Sequence, residues 1–143
     1  MRIKLSFNKQ PIHSTLIPVR ISDINYGGHV GNDSMLAIIH EARLSWLKSL
    51  QLSEMDIGGC GLIMAESIVQ YKKESFHGDI LKVDIIVENI SNVSFDIIYQ
   101  ITTKRNETEM LISMAKTTMI TFNYEKRQIT SIPIQFLKKI NFS

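Results

Sequence analysis

Hydrophobic residues recur along this chain with two different periods, and the change of period marks out its elements. Residues 14–22 (Ser-Thr-Leu-Ile-Pro-Val-Arg-Ile-Ser) are rich in β-branched side chains and predict a first strand, with Pro18 suited to a sheet edge. A Gly27-Gly28 turn follows, and Asn32, Asp33 or Ser34 is placed to cap a helix running to about Leu50. On a wheel of about 100° per residue, Met35, Ile39, Ala42, Trp46 and Leu50 form one apolar arc, extended by Leu36 and Leu47. Glu41, Ser45 and Lys48 lie opposite, and an apolar surface this broad asks for cover on more than one side. Arg43 falls inside the apolar arc, where a guanidinium needs a carboxylate and hydrogen bonds to offset its desolvation. Asp23, just ahead of the helix, is the expected partner.

From Leu62 onward the period drops to two. Residues 62–74, 80–89, 93–104 and 109–124 each read as a strand, with alternations such as Leu81, Val83, Ile85, Val87 and Phe95, Ile97, Tyr99, Ile101. Gly78-Asp79, residues 89–92 and Arg105-Asn106-Glu107 supply the turns, so the four strands are expected to form an antiparallel meander after one buried helix. Residues 134–140 predict a short terminal helix behind Pro133. The fold class is therefore α+β.

The bulk properties narrow the field. A length of 143 residues suits one domain, 1–143, with a single core, and 44% hydrophobic with 21% charged residues is an ordinary globular balance. The formal charge of +2 is spread over separate basic pairs, which argues against nucleic-acid binding. A lone Cys60 makes no internal disulfide, and the polar-apolar alternation of the first residues is unlike a secretory leader, so the cytoplasm is the expected compartment. Nothing approaches the ~18 apolar residues of a spanning helix, so no membrane partner is expected. The spacings of His, Cys, Asp and Glu match no metal motif, and no metal or other cofactor is expected.

The candidate chemistry is concentrated in residues 23–33, Asp-Ile-Asn-Tyr-Gly-Gly-His-Val-Gly-Asn-Asp, which lead into a helix carrying Glu41-Ala42-Arg43. A glycine-rich turn that opens a helix presents unpaired backbone N–H groups, and this one surrounds them with carboxylates, an amide, a phenol and an imidazole. His29 has a ring whose ordinary pKa suits proton transfer near neutral pH, whereas the amide of Asn25 cannot take a proton.

Strand, Asp-x-Asn-x-x-Gly-His-Val-x-Asn turn, helix with Glu-Ala-Arg, and a β meander over about residues 14–135 together resemble the hotdog-fold thioesterases of the 4-hydroxybenzoyl-CoA thioesterase type. The resemblance implies a long central helix wrapped by a curved antiparallel sheet. It implies a homodimer or homotetramer with sites at the dimer interface, and hydrolysis of acyl-coenzyme A or acyl carrier protein thioesters by water. Position 25 departs from the family's Asp-x-Asp form, whose second Asp is nucleophile or base. Three residues remain as catalytic candidates: Asp23, structural if it pairs with Arg43; Glu41, because one branch of these enzymes uses a helix Glu; and His29, because Asn25 and His29 match an Asn-x-x-x-His arrangement of acyl carrier protein thioesterases.

Asp23 is expected to anchor Arg43 and Asn25 to orient water or the carbonyl, with amides around Gly31, Asn32 and Asp33 polarising it. Tyr26 is a candidate to line the acyl pocket, and Lys72 and Lys73 to meet the coenzyme A phosphates. The alternative function is a hotdog protein that binds acyl thioesters without cleaving them.

Overall fold

A computed structural model describes residues 3–141. The elements are β1 (His13–Pro18), α1 (Asn32–Ser49), β2 (Gly61–Tyr71), β3 (Ile80–Glu88), β4 (Ser94–Arg105), β5 (Thr108–Asn123), β6 (Gln128–Ile129) and α2 (Ile134–Ile140), with a single turn of tighter helix at Ile21–Asp23. The first strand thus ends at Pro18, before the expected Ser22. Beyond it Asp23 Oδ2 accepts the Arg20 N–H at 2.8 Å, which draws the chain into the tighter turn.

The strands form one antiparallel sheet in the order β1-β3-β4-β5-β2, with β6 paired to the end of β5. Strands β3, β4 and β5 are the predicted meander, but β2 lies against β5 and not beside β3. Gly78-Asp79 is therefore not a hairpin between β2 and β3. The chain leaves the sheet after Tyr71, where the Lys72 and Lys73 N–H groups both bond the Ile112 carbonyl, and residues 72–79 cross to the far side of the meander. On the way the Ser75 carbonyl accepts the Val30 N–H at 2.9 Å, docking the crossover onto the turn before α1. The turn chemistry at Gly78-Asp79 is real: Asp79 Oδ2 accepts the Phe76 N–H at 2.8 Å. A local turn signal says nothing about which strands flank it.

Alternation along the strands puts Val83, Ile85 and Val87 of β3 and Phe95, Ile97, Tyr99 and Ile101 of β4 on the face that meets α1. The helix answers with Met35, Ile38, Ile39, Ala42, Trp46 and Leu47, one stripe at three- and four-residue spacing. Its α2 neighbour adds Phe136, whose ring lies 5.5 Å from Phe95 and 6.1 Å from Trp46. Each of these buried aromatics contributes on the order of 2–3 kcal/mol of apolar burial. The sheet, α2 and the loop carrying Glu54 together cover α1, and Leu36 is left 45% exposed within this chain. On the opposite face of the sheet Ile86, Ile98 and Met114 are covered by Leu5 and Phe7 of the N-terminal segment.

Arg43 is buried as the wheel requires, but its partner is not Asp23. The Nε donates to Glu54 Oε2 at 2.8 Å and Nη1 to the Tyr99 hydroxyl at 3.1 Å, which in turn lies 2.7 Å from Thr117 Oγ1. Asp23 belongs to the start of α1, and Arg43 sits a further eleven residues beyond Asn32, roughly 16 Å along the axis. The loop after α1 returns to that level and delivers Glu54. Among the described residues no helix is long and apolar enough to cross a membrane.

Candidate active site

The turn between β1 and α1 is built from its own polar groups. Asn25 Oδ1 accepts the N–H of Gly27 at 2.9 Å and that of His29 at 3.4 Å, while the Asn25 N–H donates to the His29 carbonyl at 2.9 Å. Gly28 has a φ of +85°, a left-handed conformation that suits glycine and closes the turn. Asp23 is buried and holds both ends: its side chain accepts from Arg20, and its carbonyl accepts the Gly31 N–H at 3.2 Å.

That last bond changes the expected set of helix-start donors. Gly31 is the N-cap, no side chain caps the helix, and the Gly31 amide is already taken. The N–H groups of Asn32, Asp33 and Ser34 have no partner among the described residues, and the first intrahelical bond runs from the Met35 N–H to the Gly31 carbonyl at 3.0 Å. An uncapped start forgoes about 1 kcal/mol of helix stability and leaves the positive end of the peptide dipoles available to a ligand.

The first of these residues, Asn32, borders a cavity of about 400 Å³ lined also by His29, Val30, Met35, Tyr71, Lys72, Lys73, Glu74 and Ser75. The structure thus brings together His29 and Asn32 from the turn and Lys72 and Lys73 from the crossover. The His29 Nδ1 lies 3.2 Å from the Val30 carbonyl. Because a carbonyl only accepts, this bond needs the proton on Nδ1, the tautomer whose neutral ring has its lone pair at Nε2. Tyr71, on the same wall, has its phenol pushed above the usual range by burial and then by the Asp33 carboxylate.

Other candidates lie elsewhere. Tyr26 is fully exposed and is not among the residues that line this cavity. Glu41 is exposed on another side of α1 and opens, with Asp23 and Arg20, on a smaller cavity of about 110 Å³. Cys60 is buried, and burial followed by the Asp56 carboxylate pushes its thiol up, away from the reactive thiolate form. His40 does not stand idle on the helix surface: Nε2 lies 2.7 Å from Glu54 Oε1.

The crossover has its own clasp. Arg105 of β4 bonds Asp79 Oδ2 at 2.6 Å and the Glu74 carbonyl at 2.8 Å, and its guanidinium lies 5.0 Å from the Phe76 ring centre. Burial pushes the Asp79 carboxyl up, but the bonds from Arg105 and the Phe76 amide outweigh it and hold the group below its ordinary range. Glu54, Tyr71 and Ser75 were not singled out in the sequence. Ser75 acts through its carbonyl, which leaves no residue-type signal, and Glu54 has no spacing that ties it to Arg43.

Residues 19–140 match the sequence pattern of the thioesterase-like superfamily. A search of curated protein sequences finds no match. Among solved structures, the chain is similar to a 1,4-dihydroxy-2-naphthoyl-CoA thioesterase from Synechocystis, with a TM-score of 0.80 and 23% identity over 90% of this chain and 95% of that one. It is also similar to an aspartate-to-asparagine variant of 4-hydroxybenzoyl-CoA thioesterase complexed with 4-hydroxybenzoyl-CoA, with a TM-score of 0.81 and 12% identity over 90% and 97% of the two chains. A gentisyl-coenzyme A thioesterase gives a TM-score of 0.77 and 15% identity over 90% and 99%. These likenesses show the hotdog fold.

Proposed function

Since the chain belongs to the thioesterase-like superfamily, we propose that it hydrolyses acyl-coenzyme A thioesters to a free acid and a thiol. The observation that carries this reading is the uncapped start of α1, whose unclaimed N–H groups begin at Asn32, a residue lining the cavity that also holds His29, Lys72 and Lys73. A thioester carbonyl docked there meets donors where its oxygen gains charge. The His29 Nε2 takes a proton from water, and the water oxygen attacks the carbonyl carbon. The oxyanion rests on the amides of Asn32, Asp33 and Ser34. As it collapses the C–S bond breaks, and the imidazolium returns the proton to the departing thiolate.

In this mechanism Asn25 shapes the turn through Oδ1 and offers its Nδ2 to water or the carbonyl, Asp23 fixes the turn, and Lys72 and Lys73 receive phosphates of the coenzyme A or carrier arm. The base is assigned to His29 in preference to Glu41, because Glu41 faces another cavity. Water is the acceptor and no cofactor enters. The outer edge of β2, which pairs only with β5 among the described strands, supports a homodimer joined along that edge.

Thiol release from a panel of short, long and aromatic acyl-CoAs tests the reading. Turnover is expected, and His29→Ala is expected to lower kcat by about a hundredfold or more, the usual contribution of a general base. A His29→Ala protein with full kcat would remove His29 from the role. The second reading, binding without hydrolysis, is favoured by the amide at position 25, and it wins if acyl-CoA binds and no member of the panel is cleaved.

A further inference from the structure

A second cavity, of about 430 Å³, lies farther along α1. The first cavity is bounded by Asn32 and Met35 of α1 and Tyr71 of β2, the second by Leu36, Ile39 and Arg43 of α1 and Met64 and Ser67 of β2. Helix numbers rise while strand numbers fall, so the two cavities succeed one another along one groove between α1 and β2. Leu36, Ala37, Ile39 and Met64 give the second cavity an apolar side, and Arg43 stands with His40, Glu54, Ser67 and Thr117 on its polar side.

Its side chain is almost wholly buried, at 6% exposure, yet only Nε and Nη1 have hydrogen-bond partners. No fully buried side-chain nitrogen or oxygen among the described residues lacks a partner, so the unpartnered Nη2 is not sealed off, and Arg43 is one of the residues that line this cavity. None of these polar groups accepts from Nη2, so the N–H of this buried guanidinium takes its acceptor from water or from a ligand. A plain alkyl chain filling the chamber would strand it.

We propose that this chamber receives the far end of the acyl group and that Arg43 selects acyl groups bearing a hydroxyl or keto oxygen there. The inference rests on the thioester reading above and names the substrate class of that site. A carboxylate is the poorer fit, because Glu54 already neutralises Arg43 from 2.8 Å and a second anion would repel it. A neutral oxygen accepts from Nη2 without that repulsion.

The geometry also sets a length. Arg43 lies ten residues beyond Asp33, about 15 Å of helix rise, and side chains lean back toward the helix N-terminus, which brings the guanidinium to roughly 10 Å from the free amides. At about 1.2 Å per bond of extended chain, an oxygen some eight to ten atoms from the carbonyl reaches it.

The test uses the full chain and paired CoA thioesters, ω-hydroxyacyl against unsubstituted acyl, from six to twelve carbons. The expected result is a kcat/KM preference for the hydroxylated member that peaks at eight to ten carbons at about tenfold or more. Arg43→Lys, which keeps the charge and loses the planar fork, is expected to bring that ratio near one. Should Arg43→Lys fail to fold, Ala37→Phe, which fills the chamber from an exposed helix position outside the Arg43 network, is expected to lower kcat/KM tenfold or more for the eight- to ten-carbon hydroxyacyl substrate. Equal kcat/KM within every pair, or a ratio unmoved by Arg43→Lys, overturns the inference and leaves the thioesterase reading standing. A chain that cleaves none of these thioesters, nor any of the wider panel, overturns both.

Discussion

At the scale of single residues the decisive position is Asn25. Its Oδ1 accepts two backbone N–H groups and so holds the turn that presents His29 and the helix start. Aspartate has the same shape and accepts the same two bonds, so Asn25→Asp is expected to fold normally and to raise turnover by supplying a carboxylate where these enzymes have one. Asn25→Ala removes both bonds and is expected to lower kcat and stability together. Paired kcat/KM and melting measurements decide, and an Asn25→Asp enzyme slower than wild type would mark the amide nitrogen as the working group. Asp23 and Arg43 teach a different lesson at this scale: charge type and burial were legible in the sequence, but the partner of each was not. Arg20 and Glu54 take those places because of where the backbone brings them.

Among the elements, the crossover between β2 and β3 matters most to the site. It supplies Lys72 and Lys73, touches the turn through Ser75, and is clasped by Arg105 on Asp79 and Glu74. Arg105→Ala removes that clasp while leaving the cavity lining chemically intact. It is expected to raise KM for acyl-CoA severalfold with kcat changed less, read from steady-state kinetics; an unchanged KM would show that the crossover holds its position without the clasp. The helix was the most legible element, since its apolar spacing and the break after Leu50 place its end within a residue of Ser49 and its start within three of Asn32. Its cap was not, because the sequence offers three good capping side chains and the structure uses none. Those side chains lie inside the helix, and the cap position falls on Gly31.

For the molecule as a whole, acid stability follows from the network under α1. Burial pushes the Glu54 carboxyl up, but hydrogen bonds from Arg43 and His40 outweigh it and hold the group below its ordinary value. Burial alone lowers the His13 pKa. Both folded-state values lie below the unfolded ones, so each contributes stability that is complete above its unfolded pKa and is lost as pH falls through its folded pKa. The melting temperature is therefore expected to decline from about pH 6.5 downward and more steeply below about pH 4.3. Glu54→Gln is expected to cost on the order of 1–3 kcal/mol at pH 7, allowing for the partial exposure of the carboxylate, and the gap to wild type to narrow toward pH 3. A gap that stays constant with pH would remove Glu54 as the titrating group.

At this largest scale the division of information is clear. The sequence by itself determined the helix, the long strands and the fold class, because hydrophobic period is a local property that each segment carries alone. It also determined that an amide, an imidazole and glycines stand together before α1, because they are neighbours in the chain. Only the tertiary structure decided that β2 closes on β5, that Lys72 and Lys73 stand across a cavity from His29, and that Glu54 meets Arg43. Those relations join residues distant in sequence, and they depend on which edge the sheet leaves open and where the crossover lands, which no local pattern encodes.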